Sequence, residues 1–128
     1  MTIKGSLAHI SVGKTVWGVN KAYDIFMYQG KNRWKNIKGK LTNLDVSEKN
    51  HVWGVNTKAK GAIFRWTGKA WEAVKGAAIQ IAVGDSGVWC VNAANNIYYR
   101  TGTFHDKNTK GKSVSRTVLF NGAISQVL

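Results

Sequence analysis

The chain has one cysteine, no proline and only six acidic residues among its 128. Each shortage excludes something. A lone Cys90 forms no intrachain disulfide and belongs to no Cys/His spacing of the kind that holds a metal. Glycine stands at the matching repeat positions, so Cys90 reads as a small buried residue in tight packing. Most glycosidases work with paired carboxylates. Asp24, Asp45, Glu48, Glu72, Asp85 and Asp106 fall singly, and the aspartates lie in or beside expected turns. His9, His51 and His105 share no repeat position and read as turn or surface residues. No serine-centred nucleophile elbow is present. "GKT" at Gly13–Thr15 lacks the upstream glycine and following helix of a phosphate loop. Catalysis, metal ligands and cofactors are therefore not expected. No apolar run approaches the roughly 20 residues of a membrane helix. The first twenty residues have no unbroken apolar core, so no signal peptide is read. A cytoplasmic location is expected, with non-classical secretion or a trimmed precursor left open.

Positive charge is abundant. Nineteen Lys and Arg give a formal net charge of +13. Such a surface favours anionic partners: nucleic acid, acidic lipid, lipopolysaccharide or acidic glycan. The basic residues form no single block. Lys31, Arg33, Lys35, Lys38 and Lys40, then Lys58 and Lys60, and later Lys107, Lys110, Lys112 and Arg116 are spread through expected turns. This reads equally as a solvated basic surface.

The chain repeats itself. "VWGVN" at Val16–Asn20 recurs at Val52–Asn56, and returns as "VWCVN" at Val88–Asn92. Three copies follow, residues 3–36, 37–73 and 74–119, with a further partial start at 120–128. Each copy holds four short runs of β character: the alternating Leu7, Ile10, Val12 type, the VWGVN type, Ile25–Tyr28 with Ile63–Trp66 and Ile97–Arg100, and a last run carrying Trp34 or Trp71. Gly30, Gly68 and Gly102 follow the third run and suit hairpin turns. No helical apolar period persists, and the missing proline fits strands whose N–H groups are used in ladders. A four-stranded unit of this length reads as a propeller blade. The fold expected is all-β, a β-propeller with three four-stranded blades in a single domain, 1–128. Trp17, Trp53 and Trp89 should fill gaps between blades, with glycine behind them letting a neighbouring backbone approach. Closed propellers need about four to eight blades. Two chains related by a two-fold axis would give a six-bladed homodimer, and the surplus run Ala123–Leu128 could fasten the partner's first blade.

These positions also carry a resemblance. Gly5, Leu7, Ile10, Val12, Gly13, the Val16–Asn20 pentapeptide, Ile25-Phe26, Gly30, Trp34, Ile37 and Gly39 together resemble the tectonin β-propeller repeat, and the second copy matches as well. The third lacks a clear counterpart of Trp34. The resemblance implies a lectin of the kind found in slime moulds, fungi, horseshoe crab and fish eggs, with six-bladed rings and glycan sites between blades. Three repeats and the strong positive charge set this chain apart, and the charge points to an acidic ligand.

The residues themselves offer two candidate ligand-binding columns. Tyr28, Arg65 with Trp66, and Tyr99 with Arg100 stand just before the turn glycine, where aromatic faces and guanidiniums suit sugars. Asn20, Asn56 and Asn92 close the VWGVN strand and serve either the turn or a ligand. The function expected is multivalent carbohydrate binding to a cell-surface glycan or lipopolysaccharide, in defence. The alternative is electrostatic binding of anionic membrane lipid or, less favoured, nucleic acid.

Overall fold

The computed structural model describes residues 1–101 and the backbone of 117–119 and 125–126. Gly102, His105, Asp106 and the basic run at 107–116 lie outside the described residues. Short strands alternate with tight turns. Strands β1 (His9–Val12), β2 (Val16–Val19), β3 (Asp24–Tyr28) and β4 (Trp34–Lys40) form the first sheet in chain order. Strands β5 (Asn43–Val46), β6 (Val52–Asn56), β7 (Ala62–Trp66) and β8 (Trp71–Ala77) form the second. The third holds β9 (Gln80–Val83), β10 (Gly87–Val91), β11 (Ile97–Thr101), β12 (Thr117–Leu119) and β13 (Ser125–Gln126). Every pairing is antiparallel. The only helical turn among the described residues is a 3-10 turn at Thr57–Ala59.

The repeat starts inside a strand. Ile37 and Val74 lie midway along β4 and β8, so the second and third copies each begin on the outer edge of one sheet and continue into the next. Of the surplus terminal run, only Ser125 and Gln126 are described. Ser125 and Gln126 pair with Val118 and Thr117 on the outer edge of the chain's own third sheet.

The sheets pack face to face in series. Trp17, Val19, Ile25 and Ile37 of the first sheet bury against Leu41, Leu44, Val46 and Val52 on the near side of the second. Trp53, Val55 and Ile63, on the far side of the second, bury against Ala78, Ile81, Val83, Val88 and Cys90 of the third. Strand alternation makes this possible, because successive side chains point to opposite faces and a sheet with neighbours on both sides needs apolar residues on both. Trp17 is 1 % exposed and Trp53 0 %. Trp89 departs from the expectation that all three are core, being 43 % exposed. It lies on the far side of the third sheet, the side that no later sheet covers among the described residues.

The glycine of the pentapeptide has a second purpose besides the expected one. A Cβ at Gly18 would stand 2.5 Å from Leu7 Cδ1 and 2.8 Å from the His9 carbonyl, and one at Gly54 would stand 2.4 Å from Leu41 Cδ1. Glycine makes room for a leucine side chain as well as for the backbone of the neighbouring first strand. In the third copy Ala78 holds the leucine position and Cys90 the glycine position, so a smaller residue on one side accompanies a larger one on the other. Cys90 is buried, as expected, and burial pushes its thiol up to about 11.

Polar side chains tie the sheets together near their first strands. The imidazole of His9 lies 2.8 Å from the Leu44 carbonyl through Nε2. Asn43 donates to the Ile79 carbonyl at 2.9 Å and accepts from the Ile81 N–H. Asp45 accepts from the Ser11 hydroxyl on one side and, at 2.7 Å, from the Val83 N–H on the other. His9 and Asp45 thus sit on strands, not in turns. So do Lys35, Lys38 and Lys40, which lie along β4.

Candidate functional site

The outer strands open a cleft between the first two sheets. Its volume is about 680 Å³. Lys35, Asn36, Ile37, Lys38 and Gly39 of β4 form one wall, and the end of β7, the hairpin at Gly68–Ala70 and Trp71 form the other. Two features of the sequence create it. Residues Lys38 and Gly39 bulge out of the β3–β4 ladder, where Ile25 pairs with Ile37 but Asp24 pairs with Lys40. Gly39 adopts φ +130, and a Cβ there would sit 3.0 Å from Trp71 Cδ1. Only glycine lets the indole lie on the bulge, at a backbone angle that L side chains avoid.

The aromatic floor is a trio. The Trp66 and Trp71 rings are 5.1 Å apart and tilted by 58°. Trp17 meets both edge-on, at 5.6 and 5.9 Å. Trp66 and Trp71 are half-buried, offering ring surface at the cleft while the rest joins the core. The Trp71 indole N–H is buried without an acceptor among the described residues. Its counterpart in the first copy, Trp34, donates to the Lys4 carbonyl at 2.8 Å. Lys35, Lys38 and Lys69 are exposed around the cleft, and none of the described lining residues is acidic. Asn36 donates to the Ile25 carbonyl. The set can stack a ring's C–H face, supply hydrogen bonds and attract negative charge.

A smaller hollow of about 190 Å³ repeats this arrangement before the first sheet, lined by Gly5, Ser6, Leu7, Phe26 and Trp34. There Gly5, at φ +133, makes the same contact with Trp34 that Gly39 makes with Trp71.

The columns read from the sequence separate in space. Trp66 lines the large cleft. Tyr28 packs against Trp34 at 4.9 Å, and its hydroxyl accepts from the Asn32 N–H. Arg65 donates to Glu72 at 3.0 Å and lies 5.9 Å from the Trp53 ring centre. Arg100 is buried between the second and third sheets, 5.0 Å from the same ring. Burial, then the neighbouring Arg65, pushes the Arg100 guanidinium down to about 10, against the pull of Glu72. Tyr99 packs against Trp89 at 5.0 Å on the uncovered face. Asn20 and Asn92 each accept two backbone N–H groups of their turns, from Ala22 and Asp24 and from Ala94 and Asn96. Asn56 accepts from Lys58 and donates to the Lys40 carbonyl. These asparagines hold turns in which Tyr23, Lys60 and Asn95 take left-handed φ near +60 to +70.

Sequence reasoning passed over Trp71, Asn36 and Lys69 as cleft residues. Trp71 was visible as a recurring tryptophan in the fourth run, and a tryptophan two residues after a lysine that follows a turn glycine was the signal.

The tectonin domain family matches residues 1–61 and again 56–116. Among curated proteins, the chain is similar to Tectonin-2 of Physarum polycephalum, 45 % identical over 67 residues, which cover 51 % of the chain and 18 % of that protein. It is also similar to Tectonin-1 of the same organism, 38 % identical over 56 residues, covering 41 % of the chain and 25 % of that protein. The matched part thus spans a quarter or less of each relative.

Proposed function

Because the chain belongs to the tectonin domain family, we propose that it is a non-catalytic carbohydrate-binding protein, directed at a cell-surface glycan or lipopolysaccharide in a defensive role. One observation carries this reading: the cleft between the first two sheets, where two tilted indoles stand beside an amide and three lysines with no described acidic residue lining it. Indole faces bind the C–H side of a pyranose, and the ammonium groups favour sugars bearing phosphate, sulfate or carboxylate. The sheets act as blades of a propeller, six to a ring, each ring made of two chains. Several weak sites held in one rigid frame then gain strength through avidity.

A glycan array at physiological salt tests this. The chain should retain a defined set of glycans, anionic ones foremost, and free sugar should compete. The double variant Lys35→Ala/Lys69→Ala alters exposed residues, so it should lose retention with its far-UV circular dichroism unchanged. The formal charge of +13 favours one other reading, electrostatic docking on anionic lipid or nucleic acid. Absence of glycan retention, together with vesicle or RNA binding that collapses as salt rises, would replace the first reading with the second.

A further inference from the structure

Lysine is placed selectively in this fold. Among the described strands it occurs only in β4 and β8, the fourth strands, which edge their sheets. There Lys38 with Gly39, and Lys75 with Gly76, bulge from the ladders. Ile25 pairs with Ile37 but Asp24 with Lys40, and Ile63 pairs with Val74 but Ala62 with Ala77. Lys4 and Gly5 repeat the step against the first sheet, outside any described strand. Gly5, Gly39 and Gly76 share φ values of +133, +130 and +128, which glycine adopts freely and other residues avoid. The same backbone turn thus presents a lysine three times, and all three lysines are exposed.

Two of these steps sit beside an indole. Gly5 lies against Trp34, and Gly39 against Trp71. An ammonium group and a half-buried ring therefore stand together at the small hollow and again at the large cleft. Lysine also serves to guard an exposed sheet edge against other strands. Lys4 has no strand edge to guard, however, and a guard needs no ring beside it. The carboxylates of this region are engaged, Asp24 with Lys40 and Glu72 with Arg65. Lys4, Lys35, Lys38, Lys69 and Lys75 have no carboxylate partner among the described residues.

We propose that the outer edges of the sheets bind an internal stretch of a linear acidic polysaccharide, laid across successive sheets from one lysine step to the next. The inference rests on the glycan reading above and adds the polymer, its course and the cations outside the cleft. Stacked sheets lie about 10 Å apart, so ammonium groups recur along the edges at an interval that a sugar chain covers in a few units. Between them the indoles meet the C–H faces of the rings. A site for one terminal sugar encloses it with directed donors and acceptors. The cleft, at about 680 Å³, instead offers lysines, one amide and two indoles, which suits a chain passing through. Nucleic acid is the poorer fit. Trp66 and Trp71 are tilted by 58°, which leaves no parallel slot for a planar base, whereas a puckered pyranose needs only one ring face.

Isothermal titration calorimetry at physiological salt tests this, with sulfated glycosaminoglycan oligosaccharides of graded length. Affinity should rise with length beyond what the cleft holds and then level off. Lys75→Ala, outside the cleft, should lower affinity for long chains by about two- to five-fold and leave the shortest binding oligosaccharide unaffected. Lys14→Ala removes the same charge from the β1–β2 hairpin, at the opposite edge of the first sheet, and should change neither. Both lysines are exposed, so far-UV circular dichroism should not change. If Lys75→Ala unfolds, Lys4→Ala decides in its place. Affinity independent of length, or equal losses in Lys75→Ala and Lys14→Ala, would overturn the proposal. So would tighter binding of single-stranded RNA or of phosphatidylserine vesicles at the same salt. Retention of short neutral glycans on an array, with no gain from length or charge, would overturn this proposal and leave the glycan reading standing. Retention of no glycan would overturn both.

Discussion

At the scale of single residues, the molecule is a set of exchanges of volume. Leu7 with Gly18, Leu41 with Gly54 and Ala78 with Cys90 occupy one site three times. Gly54→Ala should destabilise the fold by about 1–3 kcal/mol, because Leu41 is fully buried and cannot swing away. Combining it with Leu41→Ala should show a favourable coupling energy in denaturant titrations, the double mutant being less damaged than the two losses added. The thiol of Cys90 should resist a disulfide reagent in the native protein and react on addition of denaturant, followed by absorbance, because burial both hides it and keeps it protonated. His51 titrates below its ordinary value of 6.5, chiefly through burial and with Lys49 assisting, against the pull of Asp85. A histidine with a lowered folded pKa costs nothing while neutral in both states, and removes stability once the unfolded chain binds its proton. The thermal midpoint should therefore fall as pH drops below about 6.5, and His51→Gln should flatten that fall relative to the parent.

Elements were legible where a period of two met a repeat of 36 residues. The VWGVN strand, the third run and the tryptophan-led outer strand all lie where alternation places them, because each is a short apolar run bounded by turn residues. The glycine hairpins were legible too, with φ +82 at Gly30 and +101 at Gly68. Other features depend on neighbours distant in sequence. Nothing local marks Asp45 as the link between three sheets, since its partners Ser11 and Val83 are 34 and 38 residues away. Asp45→Ala should cost about 1–3 kcal/mol, measured by urea unfolding, because it strands a donor on either side. The candidate cleft was half legible for the same reason. Trp66 announced itself by its place before a turn glycine. Lys35 and Lys69 meet only when β4 of one sheet lies beside the hairpin of the next.

For the whole molecule, what the sequence could not display was the difference in burial between identical faces of successive sheets. Trp53 and Trp89 sit in near-identical pentapeptides, yet among the described residues one is enclosed between two sheets and the other is 43 % exposed. Net charge also acts at this scale. A chain at +13 repels itself, so its thermal midpoint should rise by a few degrees between low and physiological ionic strength in calorimetry. The tryptophans give the protein a further property. Trp17, Trp66 and Trp71 are packed closely enough for their electronic transitions to mix, while Trp89 stands apart with Tyr99. The enclosed Trp17 and Trp53 should emit toward the blue end of the indole range and Trp89, 43 % exposed, toward the red, so quenching by iodide should act first on the red edge of the spectrum.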